Sequence, residues 1–144
     1  MFYAFFICKN PGIIDVLIKN GADYKCVVAD KTPMIMAACF NPNPEVVELF
    51  HKRGVSVFKK DEKGFSPFLY ACAYNFNSQM IEKMLELGAD SKQCDNNDIS
   101  ALMYAAMQNG NPEVINILVK AGADINGRDE ANGFTPLMLA ALFN

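Results

Sequence analysis

His51 is the single histidine of this 144-residue chain, and histidine is the side chain that most often carries acid–base or metal chemistry near neutral pH. A zinc site built on histidine, or a cysteine nucleophile activated by histidine, would therefore depend on this residue alone. Cys39 is the nearest cysteine in sequence, and no motif links it to His51. His51 falls in the last turn of a predicted helix, where a cation interacts favourably with the helix dipole. We therefore predict a structural role for His51.

The segment Asp95-Asn96-Asn97-Asp98 contains residue types that can bind calcium. A calcium loop of the EF-hand type needs the pattern D-x-[DN]-x-[DN]-G and a glutamate at position 12. Neither that glycine nor that glutamate is present. Asn and Asp are also favoured in tight turns, because their side chains hydrogen-bond to nearby backbone amides. The segment is predicted to form a turn in which Asp98 takes the place of a tip glycine, and no metal site is predicted.

The cysteines form an odd set without a CxxC pair: Cys8, Cys26, Cys39, Cys72 and Cys94. Cys72 stands where other parts of the chain have Ala38, Ala106 and Ala141, which suggests that it packs as a small apolar residue. Reduced thiols in a cytosolic protein are the favoured interpretation, and a redox or disulfide role is the alternative. No catalytic residue and no cofactor are predicted.

Composition and charge narrow the classes of partner. The net charge is −3 and no basic stripe appears, so the electrostatic pattern of a nucleic-acid-binding protein is lacking. No run approaches 18 consecutive apolar residues, so no membrane-spanning helix is predicted. The opening MFYAFFI lacks a basic region and a cleavage site, and it is predicted to be the remnant of a helix rather than a targeting segment.

The helices that must position any functional residue recur along the chain with a fixed period. Thr32, Ser66, Ser100 and Thr135 stand 34, 34 and 35 residues apart. Alanines, asparagines and glycines keep the same phase: Ala37, Ala71, Ala105 and Ala140; Asn10, Asn43, Asn77 and Asn111; Gly21, Gly54, Gly88 and Gly122. Such a period indicates stacked units, none of which can bury its apolar face alone. The sequence therefore predicts a solenoid.

Three segments resemble the ankyrin repeat: TPMIMAA at 32–38, NPEVINILVKAGADIN at 111–126 and TPLMLAA at 135–141. That family has a 33-residue period and a T-P-L-H-x-A motif, whereas the tetratricopeptide pattern begins with Trp, which this chain lacks. The resemblance covers essentially all 144 residues and implies an all-α solenoid of helix–turn–helix units with β-hairpin-like finger loops. The implied repeats of this single domain are residues 1–31, 32–65, 66–99, 100–134 and a partial fifth at 135–144.

The histidine of the family motif is absent: Ile35, Leu69, Met103 and Met138 take its place. Since that imidazole normally joins a hydrogen-bond network between repeats, stability is predicted to rest more on apolar packing here. The segments TPLMLAA and NPNPEV resemble those of bacterial members.

Neither end of the chain has the polar face of a capping repeat. Leu137, Leu139 and Leu142 in the last helix are expected to have little cover. The chain is therefore expected to be a fragment of a longer array or to self-associate through its uncapped terminal repeats.

By resemblance, partners are bound by the concave face of the first helices and by the finger tips. The implied concave residues are Phe40, Tyr74 and Gln108, beside Cys39, Ala73 and Met107. The implied finger residues are Glu62, Lys63, Phe65, Asn96, Asn97, Ile99, Glu130 and Phe134. Several are aromatic, and large aromatic residues are enriched in interface hot spots.

The expected function is a non-catalytic protein–protein interaction module or scaffold that binds a partner protein of unspecified identity. The alternative is an inhibitor or regulator of an enzyme, acting as a host-directed effector if the source is a pathogen. A cytoplasmic, intracellular location is expected, with a secreted effector as the open alternative, and no nucleic acid or membrane is expected as a partner.

Overall fold

The computed structural model describes residues 10–144, and in that range it shows eight α-helices and two isolated β-bridges. The helices are α1 (Pro11–Lys19), α2 (Pro33–Phe40), α3 (Glu45–Lys52), α4 (Pro67–Tyr74), α5 (Ser78–Glu86), α6 (Ala101–Gln108), α7 (Pro112–Lys120) and α8 (Pro136–Phe143). They pack in paired, stacked units, which confirms the predicted all-α solenoid. The segment MFYAFFI, predicted to be a helix remnant, lies outside the described residues.

The recurring hydroxyl residues cap the first helix of each unit. Thr32, Ser66, Ser100 and Thr135 each accept a hydrogen bond from the backbone amide three residues later, with N···O distances of 3.2–3.3 Å. These amides belong to the first turn, where the helix itself supplies no acceptor, and such a cap contributes about 1 kcal/mol. The 34-residue period is therefore a period of helix starts.

The second helix of each unit begins at an asparagine, as predicted. Asn10, Asn77 and Asn111 are N-cap residues whose side-chain oxygens accept from amides two residues later. Asn43 makes the same bond to the amide of Glu45, although α3 begins one residue further along. The caps set where each second helix leaves the preceding loop.

The glycine that follows each second helix is required by the backbone. After α7, Gly122 has a φ of +96°, and its amide bonds to the Val119 carbonyl at 3.0 Å. The next amide, of Ala123, reaches back to the Leu118 carbonyl at 3.0 Å. This is the Schellman ending of a helix, in which a residue with positive φ closes the last turn.

Small residues on the first helices allow close approach between units. Ala71 and Ala105 are fully buried and Ala37 is 7% exposed, all within one continuous core. The helices α2, α4, α6 and α8 pack more closely on one another than α1, α3, α5 and α7 do. The side of the stack that the first helices form is therefore the more closely packed one, and we call it the inner face.

A row of buried asparagines, which was not predicted from the sequence, also connects the units. The Asn75 side-chain amide donates to the carbonyls of Ala38 and Asn41 at 2.8 and 3.1 Å. One repeat later, Asn109 donates to the carbonyls of Cys72 and Asn75 at 2.9 Å each. Both side chains are nearly fully buried, at 4% and 5% exposure. Polar links between repeats are therefore present although the family histidine is absent.

Further asparagines extend this network along the same edge. Asn144 donates to a carbonyl of α6, one more repeat along. The N-cap residues form a parallel row, since Asn77 donates to the Pro42 carbonyl at 2.6 Å and Asn111 to the Phe76 carbonyl at 2.8 Å. Apolar packing and a double row of amide bonds thus act together between the units.

Candidate partner-binding surface

The finger tips of repeats two to four are shaped by one aspartate each. Asp61 accepts from the amides of Lys63 and Phe65 at 2.9 and 2.8 Å. Asp95 accepts from the amides of Asn97 and Ile99 at 2.9 Å each, and Asp129 binds two amides of its own tip. Since these carboxylates satisfy the turn amides, the acidic segment at 95–98 is a finger tip, as predicted.

Each tip also needs one residue with positive φ. Gly64 and Gly133 have φ values of +83° and +70°, and Asp98 takes the equivalent place with +58°. Asp tolerates this region better than most residues. The prediction that Asp98 replaces the tip glycine is confirmed.

The fingers are joined to one another rather than standing apart. The Asn96 side-chain amide donates to the Glu62 carbonyl at 2.9 Å, and the Glu130 amide donates to the Asn97 carbonyl at 3.4 Å. A Cβ added to Gly64 would lie 2.4 Å from the Asn96 backbone nitrogen, so the two tips are in close contact. Asn96, predicted to bind a partner, therefore also holds neighbouring fingers together.

The first finger is built differently, because the tip aspartate is replaced by Val28. Val28 and Lys31 exchange two backbone hydrogen bonds of 3.0 Å across a two-residue turn. Both turn residues, Ala29 and Asp30, have positive φ, at 49° and 60°. For alanine this conformation is unfavourable. Lys31 follows this turn, and its ammonium lies 3.6 Å from the centre of the Tyr70 ring, in repeat three.

An aromatic cluster lies where the second finger meets α4 and α6. The Phe65 ring lies 5.0 Å from Tyr70 and 5.1 Å from Tyr104, measured between centroids. Tyr70 and Tyr74 are stacked at 6.5 Å with 26° between their planes. These spacings are in the range in which aromatic rings attract one another. Tyr70 and Tyr104 were not predicted as site residues, although both lie four residues after a capping serine.

Tyr104 connects the third finger to α6. Its hydroxyl donates to the Asp95 carboxylate at 2.9 Å, and the tyrosine is only 7% exposed. Burial, followed by the hydrogen bond and charge of Asp95, raises the pKa of Tyr104 well above its usual range. The hydroxyl therefore stays protonated and keeps donating to the carboxylate.

Replacing Tyr104 by Phe is expected to lower the free energy of unfolding by about 1.5 kcal/mol, because a buried hydrogen bond to a charged group is lost. Urea denaturation followed by circular dichroism measures this change. Tyr74→Phe is the matched control, since that residue is 43% exposed, and its effect should stay within about 0.5 kcal/mol. Equal effects of the two substitutions would show that the bond to Asp95 contributes nothing.

Most predicted site residues lie at the surface. Phe40, Tyr74 and Phe134 are 47%, 43% and 36% exposed. The other predicted residues with exposed side chains are Glu62, Lys63, Asn96, Asn97, Gln108 and Glu130. Phe65 and Ile99 are only partly exposed and pack against the core, so both help to hold their fingers in place. Of the neighbouring positions named from the resemblance, Cys39 and Ala73 are buried.

The exposure of the last helix differs from expectation at one residue. Leu137 and Leu142 are 78% and 63% exposed, as expected, but Leu139 is 4% exposed because α8 packs closely on α6. Met138 and Phe143 are exposed as well, at 52% and 58%. The expectation of little cover for Leu139 is therefore wrong, whereas the outer side of α8 is apolar and open.

At the opposite end of the described residues, α1, α2 and α3 line an open apolar pocket of about 320 Å³. Its lining includes Leu17, Ile18, Met36 and Phe50. Among the described residues that line it, Asp23 is the one charged group, and most of the others are apolar.

The residues that could carry chemistry are not assembled for it in the described part of the chain. Cys26, Cys39, Cys72 and Cys94 are all free thiols. Burial raises the pKa of Cys39 to about 12 and that of Cys72 further still, which suppresses their reactive thiolate forms. The Nδ1 atom of His51 is buried and has no hydrogen-bond partner among the described residues.

Residues 10–144 contain no group of three or more His, Cys, Asp or Glu side chains placed to hold a metal ion. None of their helices is both long enough and apolar enough to cross a bilayer.

Comparison with known families gives one match. A family model of ankyrin repeats, spanning three copies, matches residues 1–91 and again residues 69–144. No curated protein matches the sequence. The two matched ranges overlap and together cover the chain from end to end, in agreement with the paired, stacked helices. The chain therefore belongs to the ankyrin repeat family.

Proposed function

We propose that this chain is a non-catalytic protein–protein interaction module that binds a folded partner protein through the inner face of its first helices and through its finger tips. Ankyrin repeats are generally protein–protein interaction modules and are typically non-catalytic. The proposal goes beyond this general role because it specifies which surface binds the partner.

The observation that carries the proposal is a row of exposed side chains on the inner face. Phe40, Tyr74 and Gln108 are the last residues of α2, α4 and α6, and they stand at equivalent positions in successive repeats. Because these first helices pack side by side, the three side chains follow one another along the stack. Exposed aromatic residues in such a row are unusual on a surface without a partner and are typical of interface anchors.

The rigidity of this surface supports binding as well. Hydrogen bonds join the fingers of repeats two, three and four, and asparagine rows join the helices. A surface that is already ordered loses little conformational entropy when a partner docks, so a modest contact area can give useful affinity. The exposed tip residues Glu62, Lys63 and Glu130 would then supply polar contacts at the rim.

The test is a double substitution, Phe40→Ala with Tyr74→Ala, measured against a partner recovered by affinity purification from the native source. We expect affinity to fall at least tenfold, or about 1.4 kcal/mol, because two anchors are lost. The melting temperature should change little, since both side chains are exposed and neither belongs to the buried core.

The matched control is Phe58→Ala with Val119→Ala, two exposed apolar residues outside the first helices and finger tips. This variant should keep the affinity of the original protein. Equal losses in both double variants, or a large fall in melting temperature with unchanged affinity, would overturn the proposal. If the partner is an enzyme, its activity with and without the bound chain distinguishes inhibition from scaffolding.

A further inference from the structure

The aromatic cluster of Phe65, Tyr70, Tyr74 and Tyr104 already holds a positive charge. The ammonium of Lys31 lies 3.6 Å from the centre of the Tyr70 ring, close enough for a strong cation–π contact. Lys31 comes from repeat one and Tyr70 from repeat three, so the contact is made across the stack rather than within one turn.

Three features favour the binding of a partner's cation at these rings. Tyr70 and Tyr74 are stacked with their ring centres 6.5 Å apart, so two electron-rich rings lie close together. The Asp95 carboxylate lies at the edge of the cluster, bound to the Tyr104 hydroxyl, and adds a negative charge. Lys31 is the cation that the structure shows on these rings, and its long stem lets its charged end leave for water.

The backbone of the first finger holds Lys31 in this place at a cost. The two residues before Lys31 both have positive φ, which Asp30 tolerates but Ala29 adopts at a cost. Strained conformations of this kind persist where the surrounding structure imposes them, and they cluster at functional sites.

We propose that this aromatic cluster is a binding site for an ammonium-bearing side chain of the partner protein, which replaces the Lys31 ammonium on Tyr70 and contacts the open face of Tyr74. Tyr74 is 43% exposed and is itself a member of the row of first-helix residues described above. This inference rests on the proposed function and specifies the chemistry of the partner at one point of the surface.

The test uses tetramethylammonium chloride as the probe and follows the tyrosine ring signals by NMR, with sodium chloride keeping the ionic strength constant. Tert-butanol, which is neutral and of similar size, is the matched probe for apolar contact alone. We expect shifts at Tyr70 and Tyr74 that rise with tetramethylammonium concentration and exceed those caused by tert-butanol.

Two lysine variants distinguish the site from general charge effects. Lys31→Ala should strengthen probe binding about two- to fivefold, because the internal competitor is removed. Lys120→Ala removes the same charge from the exposed end of α7 and should leave probe binding unchanged. Tyr74→Leu should weaken the tetramethylammonium shifts at Tyr70, whereas Phe58→Leu should not.

Equal shifts with both probes, or equal effects of the two lysine variants, would overturn this inference. Neither result would contradict the proposed function, because that function is tested by the affinity of the Phe40 and Tyr74 variants for the partner. If partner affinity depends on Phe40 and Tyr74 but tetramethylammonium does not shift the ring signals of the cluster, the partner docks on these rings through apolar contact.

Discussion

Asn109→Ala is expected to lower the free energy of unfolding by about 3 kcal/mol, a large part of the stability of a small domain. The Asn109 side chain donates to the carbonyls of Cys72 and Asn75 and accepts from the Asn111 amide, all at 2.9 Å. At 5% exposure, water cannot readily replace these bonds. The substitution would leave buried backbone groups without partners, each costing about 1–3 kcal/mol.

Urea denaturation measures the effect, and Asn116→Ala is the matched control. Asn116 is exposed, and its side-chain amide donates to the nearby Glu113 carboxylate at 3.0 Å, so its loss should cost less than about 0.5 kcal/mol. A cost below about 1 kcal/mol for Asn109→Ala would mean that water enters the gap, and that apolar packing alone joins the repeats.

The helices could be predicted because their starts and ends depend on local chemistry. Serine, threonine and asparagine caps, and a glycine with positive φ, act within a few residues of their own position. A repeating sequence shows them several times in phase, so Ser66 and Ser100 identify the same structural position. The tip conformation of Asp98 followed from the same comparison between repeats.

The asparagine row could not be derived in the same way, although its period was visible. Asn41, Asn75 and Asn109 stand 34 residues apart, yet each follows the last residue of a helix, where asparagine is common for local reasons. Their bonds join residues 34 to 37 positions apart, so only the packed stack shows which carbonyls they reach.

One part of the candidate surface could likewise be predicted from the sequence, and another part could not. Exposure of Phe40 and Tyr74 followed from their phase, because the first helices turn one side towards the inner face. The packing of the aromatic cluster could not be predicted in this way. The Phe65 ring contacts Tyr104 of another repeat, and the hydroxyl of Tyr104 is buried against the finger. Sequence position alone does not tell whether a finger aromatic faces solvent or the neighbouring repeat.

Ala71→Leu is expected to lower the free energy of unfolding by about 3 kcal/mol, at the upper end of the usual range for overpacking. Ala71 is fully buried on α4, which packs closely on both α2 and α6. Three extra carbon atoms there must push apart two interfaces between repeats. Since stability in a repeat stack depends on neighbouring interfaces, the loss should not stay confined to one repeat.

Thermal and urea unfolding measure the loss, and hydrogen exchange shows where it acts. Amides of α2 and α6 should lose protection along with those of α4, because all three helices share the disturbed interfaces. The matched control is Ala141→Leu, which adds the same atoms at an exposed position on α8 and should change stability by less than about 0.5 kcal/mol. If Ala71→Leu were equally harmless, the alanines would not set the spacing of the repeats, and the close packing of the first helices would need another cause.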